Sequence, residues 1–331
     1  MRSSTITSLG LALALLPSAS LSAQSPEDVT GTVIVLNKQG GSASFIDLAS
    51  GSIVGTAPTG PGPHELVVTG DGRTAVGTDY GGQTLTVFDV ASASVTRTID
   101  LGRYTRPHGI VFLPGDSLVA VTSESTGTVV IVRIGDGEIV EALGTNAGGS
   151  HMVAATADGQ TLWTGDMASN TVTELVRGGD TPVRALPAPE RPEAVNVTPS
   201  GDRVFAGSND TGRITAWTTR DGTATTVAEG FGWPYRIFLT PDVARILVPD
   251  LGNEVLRFFD GDSYEELGRI TFSGEGPQGL ILHPNGRHLF LSLSAADRIA
   301  IVDIDARRVV GYLPAGAGPD GIGYSPLRVS R

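Results

Sequence analysis

The sequence predicts an all-β protein, a seven-bladed β-propeller with four strands in each blade. The first observation behind this prediction is a recurring proline, replaced once by serine, around which similar segments align. The aligned positions are Pro63, Pro107, Ser150, Pro192, Pro234, Pro277 and Pro319. They are separated by 44, 43, 42, 42, 43 and 42 residues, so no unrelated domain fits between them. A period near 42 residues is typical of propeller blades.

The second observation is that each repeat contains four short apolar runs separated by turn residues. In residues 64–102 these runs are "ELVVTG", "TAVGTDY", "TLTVFDV" and "VTRTIDLG". Short β-branched runs bounded by Gly, Asp, Asn and Pro indicate antiparallel strands. Long segments with the 3.6-residue period of an amphipathic helix are absent, which argues against a helical solenoid.

The two ends of the chain together supply the seventh blade. Residues 320–325 are enough for one inner strand, and residues 31–60 supply three strands but no inner one. We therefore expect the C-terminal strand to pair with the three N-terminal strands and close the ring. Closure would remove the open sheet edges that otherwise favour aggregation.

The N-terminus has the pattern of a secretory signal peptide. Arg2 precedes an apolar run over residues 9–16, which is followed by Pro17 and by small residues up to Ala23. The run is too short to span a bilayer. We interpret residues 1–23 as a signal peptide and residues 24–331 as a single propeller domain. A periplasmic or secreted location follows from this interpretation.

The composition excludes several classes of function. The chain contains no cysteine and has a formal net charge of −12, which becomes −13 when Arg2 is removed with the signal peptide. Without cysteine there is neither a disulfide nor a zinc–thiolate site. The acidic balance argues against binding to nucleic acid or to anionic lipid. We expect a monomer without a membrane span, whose partner is a small molecule or a protein.

The repeats resemble the YVTN repeats of extracytoplasmic seven-bladed propellers. Segments such as "LILHPNGRHLFLSLSAADRIAIVDIDARRVVGYLPAG" are similar to the order apolar strand, Pro-Asn-Gly turn, "YVAN", "VSVID" and closing strand. The resemblance covers residues 30–331 and implies the fold. That family is distantly related to propeller lactonases and lyases. In the lactonase pattern an Arg-His pair follows Gly-Pro, and in this sequence Gly109 stands where that histidine would be. The pattern also has an Asn-Glu pair after the second strand, which Ser123 and Glu124 match in part.

The residues that follow the repeated prolines should surround one mouth of the central channel. In blade order they are His64, His108, His151, Glu193, Tyr235, Gln278 and Asp320. Three histidines in consecutive blades suggest a divalent transition metal, with His64, His108, His151 and Glu193 as its ligands. The alternative is that these histidines are ordinary mouth residues, hydrogen-bonded to neighbouring loops.

Other polar side chains of the predicted mouth are candidates for ligand binding. They are Lys38, Tyr80, Arg106, Arg191, Tyr235, Gln278 and Asp320. Lys38 is the only lysine of the chain. It either interacts with a carbonyl group of a ligand or is simply the one basic residue that a general preference for arginine over lysine did not replace. The same loops contain five acidic residues: Asp79, Glu124, Asp166, Asp210 and Asp250. These acids either form a site for a hard cation such as calcium or magnesium or stabilise turns.

Two classes of function remain open at this stage. The first is an exported binding protein that recognises a small ligand or a partner protein at the channel mouth, with or without a metal. The alternative is a metal-assisted lyase, lactonase or other hydrolase that uses His64, His108 and His151. In that enzyme Glu193 or Glu124 would act as the base.

Overall fold

The chain folds into a ring of seven antiparallel four-stranded sheets around a central channel. The computed structural model describes Pro26 and residues 29–330. It confirms the predicted all-β seven-bladed propeller. The predicted signal peptide, residues 1–23, lies outside the described residues. Within the described part of the chain no helix is long and apolar enough to cross a membrane.

Each blade is a meander in which the first strand lines the channel and is called the inner strand here. The chain begins with β1 (Thr32–Asn37), β2 (Ser42–Asp47) and β3 (Ser52–Pro58). Blade 1 contains β4 (Pro63–Val68), β5 (Thr74–Asp79), β6 (Thr84–Asp89) and β7 (Ser94–Asp100). Blade 2 contains β8 (Pro107–Phe112), β9 (Leu118–Ser123), β10 (Thr128–Arg133) and β11 (Ile139–Gly144). Blade 3 contains β12 (Ser150–Ala155), β13 (Thr161–Asp166), β14 (Thr171–Val176) and β15 (Arg184–Pro187).

The remaining blades repeat this order. Blade 4 contains β16 (Pro192–Val197), β17 (Arg203–Ser208), β18 (Arg213–Thr218) and β19 (Ala224–Ala228). Blade 5 contains β20 (Phe238–Leu239), β21 (Arg245–Asp250), β22 (Val255–Asp260) and β23 (Glu266–Thr271). Blade 6 contains β24 (Pro277–Leu282), β25 (His288–Leu293), β26 (Arg298–Asp303) and β27 (Arg308–Pro314), and the last strand is β28 (Pro319–Ser325).

The ring closes as the sequence predicts. Strand β28 pairs antiparallel with β1, and the seventh sheet has the order β28-β1-β2-β3. Ile34 lies opposite Gly323, and Val35 lies opposite Ile322. The pairing satisfies the edge of β1, which would otherwise present unpaired backbone groups.

Apolar side chains between neighbouring sheets form the core. At the junction of blades 7 and 1, Phe45 and Phe88 are fully buried and meet edge-to-face, with ring centroids 5.9 Å apart. Ile34 and Leu36 join the same cluster from β1. The sheets bury both faces, which explains why their central strands are apolar at nearly every position.

The residues after β28 bind to two blades beyond the inner strand. Arg328 holds the Asp47 carboxylate through Nε at 2.8 Å and NH2 at 3.1 Å. Ser330 donates its backbone N–H to the Ala91 carbonyl in blade 1 at 2.7 Å. These contacts extend the closure from blade 7 to blade 1.

Two C-terminal truncations should distinguish the contribution of the inner strand β28 to stability from that of the residues after it. Deleting residues 326–331 removes the Arg328 and Ser330 contacts and should lower the free energy of unfolding by about 1–3 kcal/mol, because a few partly exposed polar contacts are lost. Deleting residues 318–331 also removes β28, and the protein should then aggregate or lose its cooperative thermal transition. Calorimetry and gel filtration measure both effects. A cooperative monomer without β28 would contradict the closure.

Candidate functional site

The channel mouth, at the end where the inner strands begin, contains a cavity of about 320 Å³. Its lining residues occupy three kinds of position, of which each blade supplies one or two: the residue before the repeated proline, the residue after it, and the first residue after the second strand. The lining residues are Lys38, His64, Tyr80, Arg106, Glu124, His151, Met167, Arg191, Glu193, Trp233, Tyr235 and Gln278. His108 and Asp320 are fully buried at the corresponding positions of their inner strands.

A local irregularity in the inner strands aims these side chains. In blade 1 the register with the neighbouring strand shifts between Pro63 and Leu66, and in blade 2 between Pro107 and Ile110. Bulges of this kind bend a strand and redirect a side chain. The residue after the proline therefore turns toward the mouth instead of into the sheet.

The three histidines form a stack. The rings of His108 and His151 are stacked, with 3.4 Å between centroids and 29° between planes, and the His64 ring lies 4.1 Å from that of His108 at an angle of 64°. Gly109 permits this approach, since a Cβ there would lie 2.6 Å from the backbone nitrogen of Val153. The lactonase histidine therefore has no room at position 109.

His108 is the middle ring of the stack and is fully buried. Neither of its ring nitrogens forms a hydrogen bond with a described residue. Burial, together with the adjacent His151 and His64, holds the pKa of His108 well below its ordinary value. The ring is therefore neutral at pH 7 and keeps an available lone pair.

A polar chain runs from the surface to the buried carboxylate of blade 7. Lys38 Nζ lies 2.8 Å from His64 Nε2, and His64 Nδ1 lies 2.8 Å from Asp320 Oδ2. Tyr235 donates its hydroxyl proton to the same carboxylate at 2.9 Å. Burial lowers the pKa of His64, although the Asp320 carboxylate opposes that effect. Burial alone would raise the pKa of Asp320, but the adjacent His64 imidazole and the Lys38 and Arg236 cations outweigh it and hold that pKa far below its ordinary range.

A second polar chain starts at His151. Its Nδ1 lies 2.7 Å from Glu124 Oε2, which also accepts a hydrogen bond from the Tyr80 hydroxyl at 3.0 Å. Arg106 pairs with Glu124 Oε1 at 2.9 Å and donates to the Tyr80 hydroxyl. Each oxygen of Glu124 is therefore engaged.

Glu193 is held by donors from two blades. Its Oε2 accepts hydrogen bonds from the Asn209 side chain and from Trp233 Nε1, the latter at 3.1 Å. Its Oε1 lies 3.8 Å from His151 Nε2. Burial raises the pKa of Glu193, as a general base requires.

An ion pair that the sequence analysis missed crosses the channel below the mouth. The buried guanidinium of Arg236 in blade 5 pairs with Glu65 of blade 1, and Arg236 NH1 lies 3.7 Å from Glu193 Oε1. Burial lowers the pKa of Arg236 to about 10. Both residues of this pair directly follow residues that were predicted to surround the mouth, since Glu65 follows His64 and Arg236 follows Tyr235.

Two of the mouth arginines have left-handed backbone conformations. The residue before the repeated proline or serine has a positive φ in six blades, and four of these residues are glycines: Gly62, Gly149, Gly276 and Gly318. The other two are Arg106 and Arg191, each with φ of 55°. The conformation has a structural cause, because the carbonyl of this residue accepts a hydrogen bond from the loop after the second strand, as between Glu124 and Arg106 at 3.2 Å. A side chain there is strained.

Most predicted site residues do meet at the mouth, but the predicted metal ligands are divided. His64 and His108 each offer a ligand atom within 4.8 Å of one another and of Glu65, which the sequence analysis had not included. His151 and Glu193 are outside that group. The set of His64, His108, His151 and Glu193 as metal ligands stays a prediction.

The acidic loop residues mostly stabilise the blades. Asp79 is fully buried and accepts hydrogen bonds from Thr84 at 2.7 Å and Thr86 at 2.9 Å. Asp166 accepts in the same way from Thr171 and Thr173. Asp250 accepts from the backbone N–H groups of Gly232 and Trp233. These acids act as turn residues rather than as a group open to a cation.

The comparisons with known proteins show a β-propeller relationship. Residues 27–117 match the YNCE-like β-propeller family, less than half of the chain. With the seven-bladed fold, this match confirms the predicted resemblance to propellers of the YVTN type. No curated protein has a significantly similar sequence.

Several solved structures share the fold. A protein of unknown function from Desulfotomaculum acetoxidans has 16% identity and a TM-score of 0.75, over 90% of this chain and 100% of its own. Hydrazine synthase of Kuenenia stuttgartiensis has 18% identity and a TM-score of 0.74, over 89% and 99%. A candidate 6-phosphogluconolactonase from Bacteroides uniformis has 15% identity and a TM-score of 0.71, over 89% and 99%. At these identities the similarity shows the fold alone.

The buried neutral histidines should make stability fall as the pH is lowered. The pKa values of His64 and His108 are lowered in the folded state, so below about pH 6.5 the unfolded chain binds protons that the folded chain does not. Each histidine then reduces the free energy of unfolding by up to about 1.4 kcal/mol per pH unit until its folded pKa is reached. Urea unfolding at pH 7, 6 and 5 measures the slope.

The variant His108→Phe keeps an aromatic ring in the stack and removes one of these groups. Its stability should depend less steeply on pH between 7 and 5 than that of the wild type. Identical slopes would show that His108 is protonated equally in both states.

Proposed function

We propose that the chain is an exported β-propeller binding protein that captures a small anionic ligand at its channel mouth. The observation that carries the proposal is the pair Arg106 and Arg191, cationic residues in backbone conformations that other blades assign to glycine. Strained residues persist where surrounding structure or function maintains them, at about 1–3 kcal/mol each. Glycine would remove that strain, so the two side chains need another explanation.

The distribution of charge supports an anionic ligand. The outer layer of the mouth includes three cations, called here the rim cations: Lys38, Arg106 and Arg191, whose side chains are 37%, 51% and 53% exposed. Arg191 lies 3.8 Å from Asp210, whose side chain is 43% exposed. The carboxylates of Asp320 and Glu193 lie deeper, at 0% and 5% exposure, and already accept hydrogen bonds. An approaching ligand therefore meets positive charge first, although the whole protein is acidic.

The size and lining of the mouth favour a small molecule over a protein segment. A cavity of about 320 Å³ is at the lower end of the range for small-ligand sites. Tyr80 and Trp233 supply aromatic surface beside the rim cations. A carboxylate or phosphate attached to a planar body suits this combination, because arginine binds such anions through paired N–H groups.

The proposal includes export because of the N-terminal sequence. The segment 1–23 has the charged, apolar and small-residue regions of a signal peptide. A periplasmic or secreted role as a ligand-capturing protein follows.

We expect the variants Arg106→Gly and Arg191→Gly to lose affinity without losing stability. The flexibility of glycine lowers the free energy of unfolding by about 1 kcal/mol, whereas relief of backbone strain raises it. The free energy of unfolding should therefore stay the same or rise by up to about 2 kcal/mol. Loss of a charge-assisted hydrogen bond of about 1.5–3 kcal/mol should weaken binding at least tenfold. Calorimetric titration with benzoate, and with neutral benzamide for comparison, measures the effect.

Arg307→Gly is the matched control for these two variants. Arg307 is an exposed arginine with φ of 48° in the β26–β27 turn of blade 6, away from the mouth. Its replacement should relieve similar strain and leave benzoate affinity unchanged. Equal affinity for benzoate and benzamide, or equal losses in all three variants, would contradict the proposal.

A metal-assisted lyase or lactonase is the second candidate. The unpartnered nitrogens of His108 favour it, because a buried neutral imidazole in a polar site is suited to ligate a metal. His64 and Glu65 are within reach, but Lys38 and Asp320 flank both nitrogens of His64, and Arg236 pairs with Glu65. A metal would therefore have to displace Lys38, and this ranks the candidate second.

Elemental analysis distinguishes this candidate. The purified mature protein, incubated with zinc and desalted, should retain one equivalent if the site exists, and His108→Phe should retain none. Wild-type protein that retains no zinc, copper, nickel, iron or manganese would exclude the metal-assisted reaction.

A further inference from the structure

We propose that Lys38 forms an imine with a carbonyl group on the captured anion, with His64 as proton acceptor and Asp320 orienting His64. This proposal rests on the proposed function, since it concerns a ligand bound at the same mouth. It adds a covalent step and a second functional group to the ligand. The expected class is a small 2-oxo acid or an aldehyde acid.

The position of Lys38 is the first reason. Its ammonium group is partly exposed in the mouth cavity, while the groups that contact it are buried. It is the only lysine in a chain whose other 22 basic residues are arginines. An arginine would supply the same charge, but its guanidinium stays protonated and cannot act as an amine nucleophile. A lone lysine at this position supplies chemistry that arginine does not.

The hydrogen-bond directions are the second reason. A protonated lysine is only a donor, so His64 Nε2 accepts from Lys38 Nζ at 2.8 Å. The imidazole proton then lies on Nδ1, which is 2.8 Å from Asp320 Oδ2, an ion-pair contact whose alignment falls short of a hydrogen bond. Amine, imidazole and carboxylate thus follow in the order nucleophile, base and orienting group.

Asp320 is itself held in place. Tyr235 donates to its carboxylate at 2.9 Å, and burial together with Asp320 raises the pKa of the Tyr235 hydroxyl well above its ordinary value. The tyrosine therefore remains a donor. The carboxylate is fully buried, so bulk water does not compete with His64 for its oxygens.

The proton transfer conserves the charge of the group. Before it, Lys38 is a cation, His64 is neutral and Asp320 is an anion; afterwards Lys38 is neutral and His64 is the cation. In water an ammonium is less acidic than an imidazolium by about 4 pKa units. Asp320 Oδ2 stabilises the cation on both sides of the transfer, since it lies 3.3 Å from Lys38 Nζ and 2.8 Å from His64 Nδ1. Glu65, 3.6 Å from His64 Nδ1, favours the imidazolium, and Arg236 opposes it.

The covalent step balances as follows. Lys38 Nζ passes one proton to His64 Nε2, and the free amine attacks the carbonyl carbon, so that a C–N bond forms and the carbonyl π bond breaks onto oxygen. His64 returns its proton to that oxygen and then takes the second proton from Nζ. Loss of water gives the imine, and no oxidant or reductant is consumed.

Reductive trapping tests the proposal on the mature protein. Glyoxylate is the probe, since it carries both an aldehyde and a carboxylate, and cyanoborohydride supplies the hydride that converts an imine into a stable secondary amine. Peptide mapping by mass spectrometry should place a carboxymethyl group on Lys38. We expect it to form at least tenfold faster there than on free Nα-acetyl-lysine, and faster than the adduct of neutral propionaldehyde.

Two variants identify the role of His64. His64→Asn keeps polar groups that can face Lys38 and Asp320 but cannot take up the proton, so trapping should slow at least tenfold. His283→Asn replaces a histidine that lies beside Tyr324 and Thr30 at the opposite end of the channel, and trapping should proceed at the wild-type rate. Equal rates in wild type and His64→Asn would overturn the assignment of His64.

Lys38→Arg separates this inference from the proposed function. It should form no adduct at position 38, whereas the benzoate affinity of the wild type, measured separately, tests the binding function. If the wild type binds benzoate but traps glyoxylate no faster than free lysine, the imine is wrong and the binding function stands. If the wild type neither binds benzoate nor traps glyoxylate, both are wrong.

Discussion

The pairing of β28 with β1 is the constraint on which both the fold and the candidate site depend. It closes the ring, and it also brings together two residues that are 282 positions apart in the chain, Lys38 and Asp320. Lys38 follows β1 directly, and Asp320 is the second residue of β28. The same backbone hydrogen bonds that satisfy the sheet edge therefore assemble the amine–imidazole–carboxylate group. Fold stability and site geometry are coupled at this junction.

The mouth separates charges by depth. Its exposed layer carries the three rim cations, while its buried carboxylates each have donors from neighbouring blades, and the Arg236–Glu65 pair crosses the channel below them. Beneath that pair the channel is lined largely by apolar residues such as Ile110, Val153 and Ile281. A buried charge is tolerated only when it is paired. Polar chemistry is thus confined to the upper end of the channel.

The blade architecture was predictable from the sequence because it depends on local patterns that repeat seven times. The positions of Pro63 and Pro107, the alternating turns and the split seventh blade all follow from spacing. The ring of residues after the prolines was predictable for the same reason. The shortened inner strand of blade 5, β20, was not, because the sequence after Pro234 looks like that of the other blades. There Tyr235 and Arg236 instead reach across the channel.

The detailed contacts of the site were less predictable because they depend on which inner strands touch. Equal positions on adjacent blades predicted that the histidines would lie close together. Spacing did not predict their stacking, which arises because Gly109 lets two inner strands approach so closely that the rings of His108 and His151 stack. Glu65 and Arg236 were missed because their pairing spans the channel between blades 1 and 5. Spacing along the chain carries no information about such cross-channel pairs.

The late position of β28 also determines the order in which the protein can fold. Neighbouring strands within a blade, such as β5 and β6, are joined by loops of a few residues, whereas β1 must wait for a partner almost 290 residues further along the chain. The entropy of closing so long a loop exceeds that of a loop of about 15 residues by roughly 2–3 kcal/mol. Ring closure is therefore a late event during folding, and until it occurs β1 presents an unpaired edge. Partly folded chains should be prone to pair with one another through that edge, which makes this junction the point of greatest vulnerability during biosynthesis.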